Sequence, residues 1–181
     1  MTDMSLAGFY SGAGFSNYFA TPCYQNYVVG SYEYELDSTN FNASGRAFPD
    51  ISAQGSLQEV IVSGKVELGE YLAVDYQLMC THSSCSATTF PLIASGTSAS
   101  APIVASGLTL LNELLMTEGK PTIGWANPIF YANPSAFTDV TSGGSYGCVS
   151  TTYGLQAKHG WDASAGLGTL SFPKLRAIYG V

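Results

Sequence analysis

This sequence predicts an α/β domain in which short strands alternate with helices, and three observations carry that expectation. Leu57 to Leu68 alternates about Ser63-Gly64 in the manner of a hairpin. Gly45-Arg46-Ala47-Phe48-Pro49-Asp50-Ile51-Ser52-Ala53 runs through a proline into a short apolar stretch, the form of a buried strand entered from a turn. From Ser98 onward, Ile103, Val104, Leu108, Leu111, Leu114 and Leu115 recur at helical spacing and make one apolar face.

The remaining elements follow in chain order. Ser11-Gly12-Ala13-Gly14-Phe15-Ser16-Asn17 reads as a glycine-bearing loop, and Tyr18 to Tyr27 as a short helix or turn. Tyr32 to Phe41 reads as irregular and polar, with Glu33, Glu35 and Asp37 as a solvated group. Residues 70–93 match no pattern. Pro102 is tolerated in the first turn of the helix that begins at Ser98, and Gly119 ends it. A second short helix is expected within Pro121 to Asn133, a glycine-rich loop region from Phe137 to Leu170, and a final helix from Pro173 to Tyr179.

Composition narrows the function. With 181 residues, 46% hydrophobic and 10% charged, the chain has enough apolar surface for one packed domain. Thirteen acidic residues against six basic ones give a net charge of -7, and the basic residues are scattered, which argues against a nucleic-acid surface. The apolar stretch from Ile103 to Met116 is interrupted by Ser106, Gly107, Thr109, Asn112 and Glu113, so it reads as a buried helix and no membrane span is expected. Cys23, Cys80, Cys85 and Cys148 match no zinc spacing and read as structural disulfides or buried free thiols. Asn42-Ala43-Ser44 is a glycosylation sequon, usable if the chain enters the secretory route. Few basic residues suit an acidic secreted or vacuolar setting. Residues 1 to 20 carry neither a basic stretch nor a continuous apolar run, so they do not read as a signal peptide, and a piece of a longer protein is expected.

Gly96-Thr97-Ser98 sits at a loop-to-helix junction among small residues. The amino end of a helix favours negative charge developing at a nucleophile, and Ser98 brings its own N–H toward an oxyanion; the same pattern also serves as an ordinary helix cap. His82 and His159 are the only histidines, and neither forms a recognisable triad motif with Ser98, which leaves solvated or core roles for them.

Several blocks in order resemble the sedolisin family of serine-carboxyl peptidases. They are Gly14-Phe15-Ser16-Asn17-Tyr18-Phe19, Phe41-Asn42-Ala43-Ser44-Gly45-Arg46-Ala47-Phe48-Pro49-Asp50, Ser95-Gly96-Thr97-Ser98-Ala99-Ser100-Ala101-Pro102, and Gly160-Trp161-Asp162 with Gly166-Leu167-Gly168-Thr169. The likeness is greatest to the tripeptidyl-peptidase branch and covers the carboxy-terminal half of its catalytic domain. It implies a subtilisin-like fold, a parallel sheet with flanking helices, of which residues 1–181 would be the carboxy-terminal part. It also implies acid-pH proteolysis of peptide or protein substrates, with Ser98 as the acylated nucleophile and glutamate in place of a histidine base, since histidine would be protonated in acid. The family's triad Glu and Asp and its oxyanion Asp lie ahead of these blocks and map to nothing here. The chain alone is therefore expected to be inactive and to need an upstream half of the domain; without it, exposed edges and faces would favour aggregation.

The same resemblance implies one calcium ion near the end of the domain. Phe137-Thr138-Asp139-Val140-Thr141-Ser142-Gly143 and Lys158-His159-Gly160-Trp161-Asp162 resemble the two halves of its site. Asp139 and Asp162 would supply carboxylates, and Val140, Gly160 and Lys158 carbonyls, an all-oxygen set that suits a hard cation. The localisation implied is extracellular, vacuolar or lysosomal. Residues 69–94 depart from the family as an insert. Either it is a surface loop, or it is untranslated sequence retained as protein, because Gly69-Glu70-Tyr71 permits a splice-donor-like GGTGAGTAT and Phe90-Pro91-Leu92-Ile93-Ala94 permits a pyrimidine run ending in ATAG. The alternative function is a non-catalytic, secreted calcium-binding or interaction domain built on the peptidase scaffold; a histidine-dependent subtilisin relative fits less well.

Overall fold

A computed structural model describes residues 11–36, 41–55, 59–62, 65–68, 96–146 and 153–181. Strand β1 (Gly14–Ala20) pairs antiparallel with β2 (Gly45–Phe48), and helix α1 (Asn26–Glu33) lies between them in sequence. The first block is thus a strand rather than a loop, and the strand of the second block lies before Pro49 rather than after it. Main-chain pairing from Gly14↔Phe48 to Ala20↔Gly45 overrides the local turn signals of Gly12 and Gly14.

Strands β3 (Glu59–Val62) and β4 (Lys65–Leu68) form the expected hairpin, in register from Glu59↔Leu68 to Val62↔Lys65. Its turn residues 63 and 64 lie outside the described residues, as does the insert at 69–94. Helix α2 (Thr97–Thr117) follows, then α3 (Asn127–Ala132), a single 3-10 turn at Pro134–Ala136, β5 (Phe137–Thr138), β6 (Gly144–Tyr146), β7 (Tyr153–Gln156), β8 (Thr169–Leu170) and α4 (Phe172–Tyr179). The region expected to be loop thus holds two antiparallel pairs, β5 with β8 and β6 with β7. Parallel pairing appears among the described residues as one bridge, Ser52 with Thr169.

The core gathers Val29 and Tyr32 from α1, Ala47 from β2, Leu111 and Leu115 from α2, Phe130 and Tyr131 from α3, and Trp161, Leu167 and Leu175 beyond them. Tyr32 and Val29 stand three positions apart on one helical face, which carries Tyr32 inward although its neighbours are polar. Within α2 only Leu111 and Leu115 are buried, so the helix expected to be buried is mostly exposed. Leu111 and Leu115 are inside, whereas Ile103 and Leu110 are about half exposed at 44% and 52%. By length and composition alone α2 is long and apolar enough to cross a membrane, with a window hydropathy of 1.3. Its polar interruptions Ser106, Thr109 and Thr117 return their hydroxyls to the carbonyls of Pro102, Ala105 and Glu113 one turn back.

Candidate functional site

Ser98 is the second residue of α2, and it is exposed to solvent. Gly96 precedes the helix with φ 125°, a conformation that a side chain resists, so glycine is needed to turn the chain into the helix. Gly96 N donates to Gly55 O at 2.7 Å, and Ala99 N donates to Gly96 O at 2.9 Å. Among the described residues nothing hydrogen-bonds the Ser98 hydroxyl. His159 is almost fully exposed and faces Asp139, with Nδ1 3.9 Å from Oδ2, so it is a solvated residue on a different loop. His82 lies outside the described residues.

Segment 50–55 connects this junction to the rest of the domain. Asp50 accepts hydrogen bonds from Tyr131 Oη at 2.9 Å and Asn127 Nδ2 at 3.3 Å, and it forms an ion pair with Arg46. Gln25, fully buried, donates to Tyr131 Oη and Ala47 O and accepts from Ala47 N. Burial, then the charge of Asp50, pushes the Tyr131 phenol well above its ordinary range. Ser52 N donates to Gly168 O, so the segment that ends at Gly55 is held on both sides. Arg46, Ala47, Asp50 and Gly168 stand in the quoted motifs, whereas Gln25 and Tyr131, 106 positions apart, carry no local signal.

The second constellation assembles at the loop 158–162. Asp139 follows β5, and its Oδ2 accepts from Gly160 N at 2.7 Å. Asp162 is fully buried; Oδ1 accepts from Ser164 N and Ala165 N, both at 2.8 Å, and Oδ2 from Lys158 N at 3.1 Å. Burial raises the Asp162 pKa, the three backbone N–H groups oppose that, and the charge of Asp139 adds to it. Asp139 Oδ1 is buried with no hydrogen-bond partner. Gly160 is exposed and Val140 half-buried.

The loop is braced from behind. Trp161 donates from Nε1 to Pro49 O at 3.2 Å and packs edge-on against Tyr32 with ring centroids 5.6 Å apart. Tyr32 donates from its hydroxyl to Gln156 O at 3.0 Å, and burial pushes its pKa up to about 12. Lys158 forms an ion pair with Glu35, which turns its ammonium away from the two aspartates. Glu35 is therefore engaged rather than free, Glu33 is the last residue of α1 with Oε1 buried, and Asp37 lies outside the described residues. The expectation of a solvated acidic loop fails there because helical periodicity extends through Glu33. Cys23 is a free, exposed thiol rather than a buried one; Cys80, Cys85 and Cys148 lie outside the described residues.

The chain is similar to known peptidases over nearly all of its length. Over 98% of its length the chain is 32% identical to tripeptidyl-peptidase sed1 of Aspergillus fumigatus and 35% identical to tripeptidyl-peptidase SED2 of Arthroderma otae. Over 93% it is 35% identical to physarolisin of Physarum polycephalum. In three dimensions it matches Pseudomonas sedolisin, a serine-carboxyl proteinase solved with two molecules of pseudo-iodotyrostatin, with a TM-score of 0.54 and 25% identity over 92% of this chain and 35% of that one. The chain belongs to the sedolisin family. No family model matches it. This sedolisin-family chain spans about a quarter of the length of the curated relatives it matches, 26%, 28% and 27% respectively. Its α/β fold is that of part of the subtilisin-like sedolisin domain.

Proposed function

We propose that this chain supplies the nucleophile and a structural cation site to a sedolisin-type serine-carboxyl peptidase that acts on peptides at acid pH, with tripeptidyl-peptidase specificity. One observation supports this reading above the others. Ser98 stands exposed in the first turn of α2, two residues after a glycine with φ 125°, within a block that resembles the serine motif of serine-carboxyl peptidases. Ser98 Oγ would attack the scissile carbonyl, its proton passing to a carboxylate base, while the Ser98 N–H at the open helix end would donate to the oxyanion. None of the residues beside Ser98 can take that proton. Hydrolysis is therefore expected only when a Glu- and Asp-bearing segment joins this chain, in an extracellular, vacuolar or lysosomal compartment.

Asp139, Asp162 and the carbonyls of Val140, Gly160 and Lys158 would hold one calcium ion. Among the described residues no three His, Cys, Asp or Glu side chains cluster as a metal site, so carbonyls must complete the set. The donor chemistry fits: two interacting carboxylates have no Lys or Arg partner, and Asp139 Oδ1 is buried and unpaired. Such an ion would offset the repulsion between the carboxylates and fasten the loop to β5.

The test is to express the chain joined to its upstream coding region. A tripeptidyl substrate should then be cleaved in acid, and Ser98→Ala should lower kcat by about 10⁴-fold or more. Full activity in that variant would sink the reading. The second reading, a non-catalytic cation-binding or interaction domain, is favoured by one contrast: the aspartate loop is assembled within this chain whereas the Ser98 hydroxyl has no partner among the described residues. An upstream region without Glu and Asp four residues apart on a helix would favour it.

A further inference from the structure

A cleft of about 450 Å³ opens between one face of α1 and the chain where β1 ends and β2 begins. Asn26, Val29, Gly30 and Glu33 supply the helix side, the i, i+3, i+4, i+7 spacing of a single face, and Thr21 and Ser44 lie opposite. It is separate from Ser98 and from the aspartate loop. Its volume falls within the range of small-molecule sites.

We propose that this cleft binds small alkylammonium compounds, with Glu33 as their counter-charge. Glu33 Oε1 is shut off from solvent and has no hydrogen-bond partner among the described residues. No Lys, Arg or His lines the cleft, and the cations of Arg46 and Lys158 are engaged by Asp50 and Glu35. Glu33 also closes the carboxyl end of α1, where the aligned carbonyls add negative potential and so favour a cation. Burial raises the Glu33 pKa, which measures the cost of holding an uncompensated carboxylate that a bound ammonium would relieve.

The shape selects an organic cation over a metal ion. A single carboxylate falls far short of the six to eight oxygens that calcium takes, and an anion would meet only repulsion. Ala20, Val29 and Ala43 offer methyl groups to a short alkyl chain. Gly30 leaves the middle of the cleft open, with nothing within 4 Å of the place a Cβ would occupy. The amide of Asn26 and the hydroxyl oxygens of Thr21 and Ser44 can accept the remaining ammonium protons.

The experiment is a titration of the full chain with n-butylammonium chloride, followed by backbone amide chemical shifts and by calorimetry. Saturable shifts centred on Thr21, Gly30 and Ser44, with a dissociation constant of about 1 mM, are expected for a ligand of this size. Glu33→Gln, which keeps the shape, should weaken binding by about tenfold or more, the loss of one charge-assisted contact. Gly30→Leu, which keeps the carboxylate and fills the cleft with a good helix former, should abolish it. Equal saturable shifts with n-butanol, undiminished binding in Glu33→Gln, or shifts matched by sodium chloride at the same ionic strength would each overturn the proposal.

Discussion

The amino end of α2 and the loop around Asp162 are both reached through glycines, but they are held in opposite ways. Ser98 is exposed, its hydroxyl unpartnered, and its junction is anchored by Gly96 N to Gly55 O. Asp162 is fully buried and accepts three backbone N–H groups, while Trp161 beside it is locked between Tyr32 and Pro49. The difference separates stability from chemistry: within this chain the aspartate loop is part of what holds the fold, and the serine is not.

That contrast breaks most readily at Gly166. Its backbone has φ 63°, and any Cβ would collide with the Asp50 carbonyl, so Gly166→Ala should cost about 3 kcal/mol or more, or prevent folding. Chemical denaturation measures it; a near-neutral result would show that the loop and segment 50–55 are not packed as described. Next in size, Asp162→Ala strands two buried donors, the N–H groups of Ser164 and Ala165, and a part-buried one at Lys158, and should cost about 3 kcal/mol. If the proposed calcium site exists, calcium should raise the thermal midpoint of the parent, with about 2.7 kcal/mol of stabilisation at a hundredfold excess over the dissociation constant, and the same variant, or Asp139→Asn, should lose that rise.

Ser98→Ala sharpens the comparison from the other side. Its effect on the stability of this chain should stay within about 0.5 kcal/mol, because the side chain is exposed and has no hydrogen-bond partner among the described residues. A large loss would mean that Ser98 is a structural cap after all. The smallest effect is expected at Glu33, where burial raises the pKa. A raised carboxyl contributes stability that is full below the unfolded value and lost as pH rises through the folded one. Glu33→Gln should therefore melt higher than the parent at neutral pH, with the gap closing as acid protonates Glu33, and thermal scans across that range read it directly.

Local order was legible wherever a periodic run decided it. The β3–β4 hairpin follows from alternation about Ser63-Gly64, α2 from apolar spacing that stops at Gly119, and α4 from Pro173 to Tyr179. Reading failed where distant pairing overrode local signals: Gly14 to Ala20 looks like a loop until β2 pairs with it, and Tyr32 looks solvated until Trp161 packs on it. The candidate site divides in the same way. Ser98 and its glycine were visible in eight consecutive residues, whereas Gln25 and Tyr131, which join Asp50 in a buried hub, left no trace in any window.

The sequence by itself determined the family, the order of its blocks, the long helix and the identity of the exposed serine, because each rests on contiguous residues or short periodicities. Only the tertiary structure decided that Asp139, after β5, bonds to the loop that carries Asp162, that Gly166 must lie against Asp50, that α2 is buried only at Leu111 and Leu115, and that Glu33 ends beside an open cleft. Those depend on side chains far apart in the chain meeting in a close-packed interior, where burial and mutual charge, rather than neighbours in sequence, set the cost of each group.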